Sequence, residues 1–246
     1  MMNYRNFNLL DKKSADTLDS IKKILNKYKD KIDDSNVLTV MKGATTLLDV
    51  CEKNQCIITI KIEIEDILKI VNSNKPQDEL FEIFLKDDNK YLMEVVNHSK
   101  QHPLLKDKLC NYEDAFTAYN NKTYYSSCVA LFSIVDYLLS TITNKTDTNL
   151  IKKTRTLSKH LKSKEYFGLF VCSAFLSLNS FFKSSNFSKK SKEPKNLNRH
   201  WILHGRSTRN ISQYDCIKLF CLIDALLKAG MLYIYSNSDT NTIPES

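Results

Sequence analysis

Apolar residues recur at helical spacing along most of this chain. Residues 14–32 place Leu18, Ile21, Ile24, Leu25, Tyr28 and Ile32 on one face, with Ser14 or Asp16 as N-cap. A second helix is predicted over 36–53. The next stretch, CIITIKIEIEDILKIV, changes period within itself. Ile58, Ile60, Ile62 and Ile64 alternate as in a strand, whereas Ile64, Ile67, Leu68 and Val71 continue at helical spacing. A short extended piece followed by a helix from about residue 63 is the expectation. Residues 78–97 are helical in pattern, with a break expected near 87–89.

The polar run HSKQHP at 98–103 divides the chain into an N-terminal, mostly helical region (1–103) and a helical domain (104–246). Beyond it the pattern is cleaner. Helices are predicted over 106–119 and 123–142, joined by a turn at 120–122, then over 148–162 and 165–182. A final helix is predicted from about 212 to 235, with Leu219, Leu222, Ile223, Leu226 and Leu227 as its core face. Gly and Pro number only four each, and turn-dense β sandwiches and barrels need more of both. The expected architecture is all-α, a small helical bundle with an N-terminal helical extension.

Composition sharpens this reading without redirecting it. At 246 residues and 42% hydrophobic content the chain can bury a core. No run of about 18 apolar residues occurs, and the opening MMNYRNFNLLDKK has no signal-peptide stretch. A soluble, cytoplasmic protein without a membrane partner is expected. The seven cysteines are odd in number, include no CxxC, and fall mostly in apolar helical runs. They read as reduced thiols packed as small hydrophobes, giving neither a disulfide framework nor a zinc site.

Charge is where the pattern becomes uneven. The net charge is +8. Between residues 183 and 209 lie Lys183, Lys189, Lys190, Lys192, Lys195, Arg199, Arg206 and Arg209, against Glu193 alone. Nearly all of the excess is therefore local, and a polyanion such as RNA would be drawn there. Lys189, Lys190, Lys192, Lys195, Arg206 and Arg209 are the candidate RNA-binding residues. A solvated basic loop is the plainer interpretation of the same run.

Inside this segment is NLNRHWILHGR, residues 196–206. His200 and His204 share a helical face at i and i+4, but zinc needs further ligands. Asp215, Cys216 and Cys221 have no typical ligand spacing, so no metal and no cofactor is expected. The chain contains no GxxxxGK[ST], GxGxxG, GxSxG or HExxH. Arg199 and His204 are complementary in chemistry. Arginine grips phosphate oxygens in a planar fork, and histidine exchanges a proton near neutral pH. Together they suffice for metal-independent RNA cleavage, in which a ribose 2′-hydroxyl attacks the adjacent phosphorus. At about 100° per residue, however, they lie roughly 140° apart on a straight helix. They converge only if the motif begins outside the regular helix, where Asn196 and Asn198 favour a cap or turn, or if two chains complete each other's site.

The stretch NRHWILHG resembles the Arg-x4–6-His signature of HEPN domains, in which a polar residue commonly follows the arginine. The segment AYNNKTYYSSCVALFSIVDYLLSTI (118–142) is similar to the long early helix of that family, with Tyr124 or Tyr125 and Asp136 in the matching places. The resemblance covers roughly residues 106–237. It implies a bundle of four or five helices that dimerises so that two motifs face one cleft. It further implies an endoribonuclease of toxin, abortive-infection or anti-phage type, with an antitoxin or regulatory partner. On that basis His204 is the catalytic base, Arg199 stabilises the phosphate, His200 is the supporting polar residue, and Asp136 and Asn198 orient the motif. Some members bind RNA or a protein partner without cleaving, which is the alternative function.

Overall fold

The computed structural model describes residues 50–59, 72–143 and 192–238, with side chains as far as residue 231 and isolated positions within 66–70 and 174–182. The helices expected over 14–32 and 148–162, and most of those over 36–53 and 165–182, lie outside the described residues. The described part is 78% helical with no strand, so the chain is all-α.

Helix α1 spans Pro76–Gln101, with proline in its first turn, where the missing N–H costs nothing. Its helical geometry fails at 87–89, where Asp87, Asp88 and Asn89 have φ of 51°, 56° and 64°. Asp and Asn are the non-glycine residues best able to take this left-handed conformation. The chain leaves α1 at His102, whose Nδ1 accepts the Leu104 N–H at 3.3 Å and so caps a 3-10 turn over Pro103–Lys108. The polar run at 98–103 is thus the last turn of α1 and a sharp exit at His102 into the 3-10 segment, between packed elements. Buried residues from both sides of it belong to one core cluster.

Helix α2 (Leu109–Asn120) and helix α3 (Tyr124–Thr143) form an antiparallel pair joined at 121–123. The Lys122 N–H reaches Tyr119 O at 2.9 Å, and the Thr123 N–H reaches Ala118 O at 2.9 Å. This is the paired bond pattern of a left-handed helix stop. Lys122 occupies the left-handed position, at φ 61°, where glycine is the usual residue. On α3, Cys128, Leu131, Phe132, Val135, Leu138, Leu139 and Ile142 repeat every three or four residues, and all are buried. By length and apolar content α3 would suit a membrane, but this stripe packs on α2 and on the long helix at Gln213–Ser238.

Helix α5 (Gln213–Ser238) is the central element, buried almost all round between 215 and 227. A helix apolar on every side has to be enclosed, and α1, α2 and α3 enclose it. Phe220 meets the rings of Tyr112, Phe116 and Tyr119 from α2 edge-on, at centroid distances of 5.5, 5.8 and 5.7 Å. That is the arrangement the ring quadrupole favours. On the other side Phe81 stacks on Tyr214 at 4.4 Å. The buried Asp224 carboxylate is met by His98 Nδ1 from α1 and by Lys228 Nζ at 2.7 Å.

Its start is fastened by a reciprocal cap. The Ser212 N–H and hydroxyl donate to Asp215 Oδ2 at 3.0 and 2.9 Å, and the Asp215 N–H donates to Ser212 Oγ at 3.3 Å. The described cysteines bear out the apolar-thiol reading except for Cys110, which is exposed. Burial pushes the Cys56 thiol up to about 12, so it stays protonated and unreactive.

Candidate functional site

The motif lies on the short helix α4, Arg199–Leu203, which crosses α3. Its beginning is set by Asn198, whose backbone is extended (φ −133°, ψ 120°). The Asn198 side-chain oxygen accepts the N–H groups of His200 and Trp201 at 3.0 and 3.3 Å, which satisfies donors that a first turn leaves open. Arg199 is therefore the first helical residue. Ile202 is the buried anchor of α4.

The end is as firmly set. Gly205 has φ 63°, its N–H bonds Ile202 O at 3.0 Å, and the Arg206 N–H bonds Trp201 O at 2.9 Å. This is a Schellman stop with glycine in its left-handed position. The C-cap His204 and the Arg206 that follows the glycine are exposed, while Trp201 is half-buried.

Two contacts tie α4 to α3. Arg199 donates from Nε to Asp136 Oδ2 at 3.1 Å and closes a shorter ion pair through Nη2. Tyr125 donates its hydroxyl to Ile202 O at 3.0 Å. Tyr125 and Asp136 are eleven residues apart, about 16 Å along a helix, so α4 is held at both ends.

The two histidines face each other, with ring centroids 4.4 Å apart and planes at 73°. Burial first, and then the neighbouring His204 imidazole and the charges of Arg199 and Arg206, hold the His200 imidazole below its ordinary pKa. His200 is therefore neutral at pH 7. Among the described residues no group of three or more His, Cys, Asp and Glu is placed to hold a metal ion.

The candidate residues thus divide. Arg199, His200, His204, Asp136 and Asn198 gather around α4. Arg199 turns to Asp136 while His200 turns to His204, as their separation on a helix dictates. Lys192 and Lys195 stand exposed on the segment leading into α4. Arg209 turns inward, with Nη2 at 3.2 and 3.1 Å from the Asp215 oxygens and Nη1 at 3.3 Å from Lys195 O. Lys189 and Lys190 lie outside the described residues.

Glu193, Lys53 and Gln55 are absent from the sequence-based set, and Tyr125 entered the reading only as an alternative to Tyr124. Glu193 accepts the Ser207 hydroxyl and, at 2.9 and 3.0 Å, the Thr208 N–H and hydroxyl, so it braces the loop after the motif. Burial opposes its charge, but those bonds and the Arg209 charge outweigh that and lower its pKa. Tyr125 fixes the far end of α4. Lys53 and Gln55 reach the segment ahead of Asn198 from the N-terminal region. Only the Ser212/Asp215 cap beside them is readable as a motif, a Ser-x-x-acid spacing before an apolar run. No family model, curated protein or solved structure matches this chain.

Proposed function

We propose that the chain is a metal-independent endoribonuclease of HEPN type, a cytoplasmic effector of toxin or anti-phage defence that works as a homodimer. The observation that carries this reading is the gathering of Arg199, His200 and the C-cap His204 on the capped helix α4, with Asp136 of α3 holding Arg199 and His204 open to solvent. The exposed Lys192, Lys195 and Arg206 beside it supply attraction for phosphates.

The chemistry assigned to each group is specific. His204 removes the proton of a ribose 2′-hydroxyl as that oxygen attacks the adjacent phosphorus. The P–O5′ bond breaks, leaving a 2′,3′-cyclic phosphate and a 5′-hydroxyl, which takes a proton from an imidazolium. His200 starts neutral, so it does not supply that proton at the outset. The second His204 of a dimer fits the role. Arg199 is held through Nε and Nη2 by Asp136, which presents the remaining guanidinium edge to a phosphate oxygen. A second copy brings the arginine of one chain to the histidine of the other, which the geometry of one α4 does not achieve. A trigger, antitoxin or regulatory partner would act on this assembly.

The test is cleavage of RNA by purified protein in EDTA. Wild type is expected to yield cyclic-phosphate ends, and His204→Ala and Arg199→Ala are expected to lose at least about a hundredfold in rate, the scale of a general base or a transition-state charge contact. Asp136→Asn is expected to be intermediate. Binding without cleavage would replace this reading with a non-catalytic RNA-binding module, and loss of cleavage in EDTA would remove the metal-independent mechanism.

A further inference from the structure

Gln55 is fully buried and has a left-handed backbone, φ 56°, at the end of a helical turn. Its Nε2 donates to Leu197 O at 2.8 Å and to Ser180 Oγ at 2.9 Å. Two residues earlier, Lys53 O accepts the Asn196 side-chain N–H at 3.1 Å. One residue later, Cys56 O accepts the Ser177 hydroxyl at 3.2 Å. The turn at 53–56 is therefore bonded to Asn196 and Leu197, the two residues that precede the Asn198 cap.

This placement matters because Asn198 decides where α4 begins. A cap residue works only with its backbone extended and its side chain under the first turn. Leu197 is 1% and Asn198 3% exposed, so neither can shift without moving its neighbours. On its far side the same turn runs into Thr59, whose carbonyl accepts Lys228 Nζ at 2.5 Å, and Lys228 also pairs with the buried Asp224. The turn is thus anchored to the core through α5 at one end and grips the entry to α4 at the other.

We propose that the turn at 53–56 is a positioning device for the motif, with Gln55 as the positioning residue. It holds the Leu197 carbonyl so that Asn198 caps α4 and Arg199 meets Asp136. Through this turn the N-terminal region sets the geometry of the site. Any partner that displaces residues 53–59 would change the motif without touching it. For its cleavage arm the proposal rests on the endoribonuclease reading, but its structural arm stands alone.

Trp201, the only tryptophan, sits on α4 and reports its position by fluorescence. The experiment compares the wild-type full chain with Gln55→Leu, which keeps the bulk but removes both donors. Asn196→Ala cuts the exposed contact to Lys53 without opening the core, and Leu80→Ala in α1 is a destabilising control. All are measured where circular dichroism shows each to be folded. The expected result is a shifted Trp201 emission in Gln55→Leu and, more weakly, in Asn196→Ala. RNA cleavage by Gln55→Leu should fall about tenfold in kcat with KM changed less than about twofold, because small misplacements act on the chemical step. Leu80→Ala should change neither. Wild-type emission in Gln55→Leu, or equal changes in Leu80→Ala, would overturn the proposal. If the wild-type chain cleaves no RNA, the endoribonuclease reading fails and Trp201 emission alone decides this one.

Discussion

Arg199 and His200 are neighbours in sequence and serve opposite sides of one helix. Arg199 is committed to Asp136 with both groups about one-quarter exposed. Such a partly buried pair has more value as orientation than as net stability. His200 is committed to His204, and burial together with the surrounding positive charge keeps it neutral. A pH dependence follows with a definite sign. The unfolded imidazole titrates near its ordinary value of about 6.5, and the folded value lies below that. Between the two the unfolded chain binds more protons, so stability rises with pH through this window and is constant above it. His102 adds to the same trend, since burial and the nearby His98 lower it as well. Urea unfolding at pH 7.5 and pH 5.5 should show a lower midpoint at pH 5.5. His200→Gln should reduce that difference. An unchanged difference would mean that His200 contributes nothing to it.

Among the elements, α4 illustrates how five residues stay helical. Isolated helices of that length do not persist in water, so the two ends of α4 and its contacts with α3 have to hold it. Asn198 holds the start, Gly205 the stop, and Asp136 and Tyr125 clamp both ends to α3. The α2–α3 turn uses the same stop with a less suitable residue, because Lys122 takes the left-handed position without being glycine. Its β-carbon costs about 1–2 kcal/mol there, offset in glycine by a larger loss of chain entropy of about 0.5–1 kcal/mol. Lys122→Gly should therefore raise stability by roughly 0.5–1 kcal/mol, readable as a higher melting temperature. A lower melting temperature would show that the turn does not carry this strain.

For the whole molecule, a close seam lies where α5 passes the end of α3. A β-carbon on Gly230 would come within 2.8 Å of Ile142 and 2.9 Å of Leu104. Both are side-chain atoms of a packed core, and forcing one methyl into such a site costs about 1–3 kcal/mol. Gly230→Ala should lower the urea midpoint accordingly, and an unchanged midpoint would mean that the seam relaxes at no cost.

Much of this arrangement was legible in the sequence because it follows from period. The stripes on α3 and α5 and the break at 87–89 appear where the apolar spacing and the polar residues place them, and the turn expected at 120–122 lies one residue later, at 121–123. The cap at Asn198 and the partnership of Asp136 with the motif were legible too, the second only through family resemblance. Gln55 and Glu193 were not, and Tyr125 was marked only through that resemblance, as one of two tyrosines. Each acts through a bond to a residue distant in the chain, and nothing in local spacing distinguishes such a residue from an ordinary polar or aromatic one. The inward turn of Arg209 escaped for the same reason, since its partner Asp215 looks like any first-turn acid.

The left-handed step in α1 has a consequence for how α1 and α5 stay in phase. Phe81 and His98 seat on Tyr214 and Asp224 respectively. Seventeen residues of α1 therefore run beside ten of α5, about 25 Å of helix against about 15 Å at 1.5 Å per residue. An unbroken α1 would overshoot its second seat. The step at 87–89 absorbs the surplus and lets each half of α1 keep its own rotation about its axis.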